Sequence, residues 1–206
     1  MIRCMNRMEE HQQGHILVDG IELTNDLKNI DAIRREVGMV FQHFNLFPHL
    51  TVLGNTLFGI ECGRAPLAGR LFGAARRAAL AEAEEMLAAV GLEDSLHLYP
   101  AQMSGGMQQR LAIAQALIKR PRILLLDEPF AGIDPLSISD IRDLVKDLRT
   151  RGIGVLITDH NVRETLEIVD RACIIYGGQV LFAVTPEALV ADENVRRLYL
   201  GESFTL

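Results

Sequence analysis

The sequence has 206 residues and a mass of 22.9 kDa, enough for one substantial core or two small units. Hydrophobic residues make up 49% and charged residues 23%, a globular balance that excludes disordered and collagen-like chains. With 21 Lys and Arg against 27 Asp and Glu, and a net charge of −6, it lacks the basic surface of a nucleic-acid-binding protein.

No apolar run approaches the roughly 18 residues of a membrane helix, and the first ten residues hold no apolar secretory core. Cys4, Cys62 and Cys173 are far apart with no CxxC pair. This fits a reduced, cytosolic compartment better than a disulfide scaffold or zinc site. In chain order, Asp19-Gly20 between residues 15–18 and 21–23 predicts a two-residue hairpin. Residues 37–41 predict a short strand ending at Gln42. From about 48 to 119 the pattern turns to helix and loop, with residues 63–73, rich in Gly, Arg and Ala, irregular. Residues 76–90 predict a helix with Leu80, Ala83, Leu87 and Val90 on one face and Gly91 as its stop. Ser104-Gly105-Gly106 opens another helix through about Ile118.

Residues 123–126 are four consecutive aliphatics, as in a strand buried on both faces of a parallel sheet. Residues 137–150 predict a helix, with Ser137 and Asp140 as its capping pattern and Ile138, Ile141, Leu144, Val145 and Leu148 as its stripe. A strand at 155–158, a helix at 162–169 and a hairpin of 174–176 with 180–182 about Gly177-Gly178 follow. Strands alternating with helices argue for an α/β sheet with a helical insertion.

Chemistry concentrates where strands end. Open α/β sheets bind ligands at the carboxyl ends of their strands, and Asp127-Glu128 closes the most apolar one. There Asp127 would hold a hydrated Mg²⁺ while Glu128 orients and deprotonates a water, the division of labour phosphoryl transfer requires. A solvated acidic turn is the plainer alternative. Ser104-Gly105-Gly106-Met107-Gln108 combines close backbone approach with a helix N-terminus, whose free N–H groups and dipole favour an anion. Gln42 fits either a surface amide or a Mg²⁺ or water ligand. His160, after the 155–158 strand, fits either a structural role or a contact to a terminal phosphate. Asp134 fits either a cap for the helix that follows or a reach across a subunit boundary.

In this order, Gln42, Ser104–Gln108, Asp127-Glu128-Pro129, Gly132-Ile133-Asp134 and His160 resemble the ATP-binding-cassette ATPase subunits of ABC transporters. The resemblance spans nearly the whole chain. It implies a P-loop NTPase-like (RecA-like) α/β core sheet with an inserted helical subdomain. Residues 1–47 and 120–206 would form the core and 48–119 the insertion. It implies Glu128 as catalytic base, with His160 and Gln42 completing the catalytic set and Asp127 and Gln42 serving Mg²⁺. Ser104, Gly105, Gly106, Gln108 and Asp134 would contact nucleotide. ATP and Mg²⁺ are the implied cofactors. The implied partners are integral membrane transporter subunits, docked on residues 44–53, and a second cassette in a head-to-tail homodimer. That places the chain on the cytoplasmic face of the inner membrane, without nucleic acid.

Residues 11–55 look like polar-amino-acid importers, whereas residues 129–132, 158–165 and 199–206 look like the lipopolysaccharide-export ATPase, so amino acid import and lipopolysaccharide export are both expected. The family's phosphate-gripping run, G-x-x-x-x-G-K-[ST], has no counterpart in this sequence. The resemblance therefore implies that the family's first strand and phosphate loop fall outside it, residues 1–4 being helix that leaves the loop. Two activities follow as alternatives: an ABC-type ATPase, or a cassette without hydrolysis that regulates or pairs with an intact partner.

Overall fold

The computed structural model describes residues 2–10, 13–24, 26–64 and 73–195. Internal contacts divide the chain into Met1–Thr158 and Asp159–Leu206. The expected core segment 120–206 is thus shared between the two units.

In the first unit the expected hairpin forms as β1 (Leu17–Val18) and β2 (Ile21–Glu22). Both turn residues, Asp19 and Gly20, have positive φ (49° and 77°), as a type I′ turn demands. The chain then enters α2 (Leu27–Glu36), a helix the composition pattern did not mark. Asp26 caps it, accepting from Lys28 N–H at 2.9 Å, and Ile30 and Ile33 are its buried face.

Three parallel strands, β3 (Val37–Val40), β4 (Ile123–Asp127) and β5 (Gly154–Thr158), lie in the order β3-β4-β5. As the aliphatic run predicts, Leu124, Leu125 and Leu126 are all buried. On one face Leu125 joins Ile2 of α1 (Ile2–Met5), Val18, Leu23, Ile30, Ile33 and Val37. Among the described residues β5 is an edge strand, and Leu156, paired with Leu125, is 36% exposed where Leu125 is 1%. One ladder position is core in the middle of the sheet and half-open at its side.

Between β3 and β4 run α3 (Val52–Arg64), α4 (Gly73–Ala89) and α5 (Gly105–Leu117). In α4, Ala79, Ala83 and Leu87 are buried. Of the stretch expected to be irregular, residues 63–64 end α3, Gly73 opens α4, and 65–72 lie outside the described residues. The approach of α3 to α5 is close: a Cβ on Gly59 would lie 2.7 Å from Ile118 Cγ2.

The chain returns from β4 to β5 through α6 (Pro135–Thr150), with Ile141, Val145 and Leu148 buried. Its cap corrects the expectation. Asp134, not Ser137, is the N-cap, accepting from Ser137 N–H at 3.0 Å, because Pro135 has no N–H to lose in the first turn and starts the helix earlier.

The second unit holds α7 (Val162–Leu166), shorter than expected, then the expected hairpin of β6 (Ala172–Tyr176) and β7 (Gln179–Val184). Two helices the sequence reading did not mark, α8 (Pro186–Ala191) and α9 (Glu193–Val195), follow. Leu166, Leu189 and Val195 form the core. Residues 199–206, part of the resemblance above, lie outside the described residues. Among the described residues no helix is long and apolar enough to cross a membrane.

Candidate functional site

The parallel register puts Val40 beside Leu126 and Asp127 beside Thr158, so the ends of three strands converge. Gln42 lies two residues past β3, and its Nε2 donates to Glu128 Oε2 at 3.0 Å. Thr158 Oγ1 donates to Asp127 Oδ1 at 2.9 Å. Arg3 Nε donates to Asp127 Oδ2 at 3.2 Å. Each acid is thereby held by a named partner.

Glu128 itself has φ of 51°, a left-handed conformation that costs a non-glycine residue about 1–3 kcal/mol. Its N–H donates to Thr158 O at 2.6 Å, and this bond offsets part of the cost. The turn swings the Glu128 carboxylate off the line of β4 and onto Gln42. Arg7, Asp19, Phe44, Asn45 and Arg120 share a positive φ, so the conformation sets where the Glu128 side chain goes without by itself assigning it a role.

A cavity of about 310 Å³, lined by Arg3, Met8, Glu9, Phe41, Gln42, His43 and Asn45, opens beside this acid tip. Magnesium takes hard oxygen donors and uses one or two carboxylates together with substrate phosphates and water. The tip offers Asp127, Glu128, the Thr158 hydroxyl and the Gln42 amide oxygen, which fit that mode. Among the described residues no group of three or more His, Cys, Asp or Glu is arranged to hold a metal by protein ligands alone.

The Ser104–Gln108 stretch forms a second site, the glycine face. Ser104 caps α5, its Oγ accepting from Met107 N–H at 3.3 Å. Gln108 does not point at an open face: its Nε2 donates to Pro100 O at 3.1 Å and Met103 O at 3.2 Å. Gly106 is buried, and a Cβ there would fall 2.2 Å from Ser137 Cβ. Asp134 is exposed, and the Ser137 N–H and hydroxyl hold its carboxyl below the ordinary 3.8. His160 belongs to the second unit, exposed, with Nδ1 3.8 Å from Asp159 Oδ1.

The loop after Gln42 is set by one side chain. Asn55, fully buried, accepts from Phe47 N–H at 2.8 Å and donates to Phe47, Leu50 and Thr51 carbonyls, each at 3.1 Å. Phe47 packs on Phe58 with centroids 4.3 Å apart. Sequence reasoning missed Arg3, Thr158, Asn55 and Ser137. Only Thr158 left a signal, a hydroxyl at a strand end beside Asp127.

The profile of a family described as ABC transporter matches residues 1–131. The chain is 45% identical over 200 residues to the general L-amino acid transport ATP-binding protein AapP of Rhizobium johnstonii, covering 97% of this chain and 75% of that one. It is 41% identical over 194 residues to the lipopolysaccharide export system ATP-binding protein LptB of Haemophilus influenzae, covering 94% and 77%. Among solved structures, the dimeric post-hydrolysis ATP-binding cassette MJ0796 bound to ADP and Pi superposes with a TM-score of 0.75, at 28% identity, covering 90% of this chain and 78% of that one.

Proposed function

This chain belongs to the ABC transporter family, as an ATP-binding subunit, and we propose that its acid tip hydrolyses ATP to drive transport of L-amino acids. The observation that carries the reading is the pairing of Gln42 with Glu128 at 3.0 Å beside Asp127. Glu128 takes the proton of the water that attacks the terminal phosphate, and Gln42 fixes the orientation of that carboxylate. Asp127, steadied by Thr158, would hold a magnesium ion. When bound, that ion supplies charge neutralisation on the transferred phosphate.

Ser104, Gly105, Gly106 and Asp134 serve nucleotide held by a second cassette, and His160 serves a terminal phosphate. Residues 44–53, stapled by Asn55, dock on the membrane subunit at the cytoplasmic face of the inner membrane. The cargo follows the name of the relative at 45% identity; lipopolysaccharide export, named for the relative at 41%, is the competing outcome.

The test is ATP turnover and labelled amino acid uptake by the assembled transporter, with and without Glu128→Gln. Turnover falling about 10²–10⁴-fold, with ATP affinity kept, supports the base. Unchanged turnover removes it. A transporter that needs the chain but shows no hydrolysis by it would assign the non-hydrolysing role, and lipopolysaccharide movement without amino acid uptake would overturn the cargo.

A further inference from the structure

Two helix N-termini meet on one side of the first unit. Gly106 is the second residue of α5 and Ser137 the third of α6. A Cβ built on Gly106 would lie 2.2 Å from both Cβ and Oγ of Ser137, so the Ser137 side chain fills the space that a side chain on Gly106 would need. One residue earlier, a Cβ on Gly105 would lie 3.3 Å from Ile133 Cδ1 and 3.6 Å from Gly132 O. About a turn further on, Arg110 Nη1 stands 3.9 Å from Asp140 Oδ2 and ties the helices again. Ser137 also faces the other way: its N–H donates to Asp134 Oδ1 at 3.0 Å.

We propose that Ser137 is a positioning residue, wedged between Gly106 and Asp134, that locks the glycine face of α5 to the 131–134 loop so that both move as one surface. That this surface serves a nucleotide rests on the function proposed above; the lock itself does not. Its logic is steric and electrostatic. Two positive helix ends brought together repel, and the Asp134 carboxylate at the junction offsets that repulsion. Ser137 is small enough to let the ends touch, and its hydroxyl and N–H keep the acid in place. This gives Gly106 an obligation within its own chain, separate from any contact to a second cassette.

The experiment uses the full chain and needs no nucleotide. Asp134 is titrated by carboxyl NMR in the wild type, Gly106→Ala, Ser137→Gly and the double variant, and melting temperatures are recorded beside it. In Gly106→Ala the added methyl displaces Ser137, so the Asp134 midpoint rises toward its ordinary value, and the protein melts at lower temperature. Adding Ser137→Gly to Gly106→Ala makes room for the methyl and recovers most of the melting temperature. A folded Gly106→Ala with an unmoved Asp134 midpoint overturns the lock, as does a double variant that melts no higher than Gly106→Ala. Should Gly106→Ala not fold, Ser137→Gly alone decides through amide exchange: faster exchange at Met107 supports the lock, and unchanged exchange defeats it.

Discussion

The acid tip and the glycine face place polar groups by opposite means. At the tip, side chains hold side chains: Gln42 on Glu128, Thr158 and Arg3 on Asp127. At the glycine face, position comes from what is missing, since Gly106 lets α5 approach Ser137 with no room for a methyl, while Gly105 sits tightly against Ile133. A tip built from exchangeable partners suits a site where ions and water come and go. A face in which a glycine backbone is filled by a neighbouring side chain leaves little room to adapt, which suits a surface that must present the same shape each time.

The largest effect is expected where the tip meets the core. Leu125, 1% exposed, packs beneath Asp127 in β4, so Leu125→Ala should cost about 2–5 kcal/mol in urea unfolding. The contrast sharpens if amide exchange without denaturant accelerates at Glu128 while Met107 keeps its protection. Equal acceleration at both would mean the two regions open as one unit. Next in size is Asn55, whose amide bonds the backbone of Phe47, Leu50 and Thr51. Asn55→Ala should cost about 1–3 kcal/mol by leaving buried backbone groups unpaired. A loss under about 0.5 kcal/mol, within the range of featureless surface changes, would show that water or neighbours replace the staple.

How much of this was legible depended on whether the signal was local. The hairpin at Asp19-Gly20, the buried strand before Asp127 and the Ser104 cap are written in adjacent residues, and each appears as read. For α6 the sequence left two capping readings open, Ser137 with Asp140 and Asp134; the second is the one that forms, and Pro135 decided between them. Helix α2 was overlooked because it is short and polar, with only Ile30 and Ile33 to mark its face. The Gln42–Glu128 pairing joins residues 86 positions apart. Its roles could be matched to a family pattern, but its contact needed the strand order. Arg3 on Asp127, across 124 positions, left no trace in either pattern or spacing.

A smaller effect separates charge from packing at the glycine face. Hydrogen bonds from Ser137 lower the Asp134 carboxyl below 3.8 in the folded chain. A depressed acid stabilises fully above its unfolded value and loses that contribution as pH falls through the folded one. Asp134→Ala should therefore lower the melting temperature by a few degrees at neutral pH, by removing cap and charge together. The gap from wild type should narrow below about pH 3.8. A gap that stays constant down to pH 2 would mean that the carboxylate charge contributes nothing and that Asp134 acts by shape alone.

The smallest effect tests whether tip partners are exchangeable. Arg3 is 45% exposed on its side chain against 15% for Asp127, so the ion pair is screened and Arg3→Ala should change stability by less than about 1 kcal/mol. Its removal still leaves Asp127 Oδ2 without its cation and the tip more negative. Manganese, a hard cation that reports its own binding by spin resonance, should then bind about 1.4–5-fold tighter, the equivalent of about 0.2–1 kcal/mol. Weaker binding in Arg3→Ala would reverse the argument, because Arg3 would then be orienting Asp127 for the cation rather than standing in its place. The acid tip would then be as fixed as the glycine face, and the contrast between the two would fall.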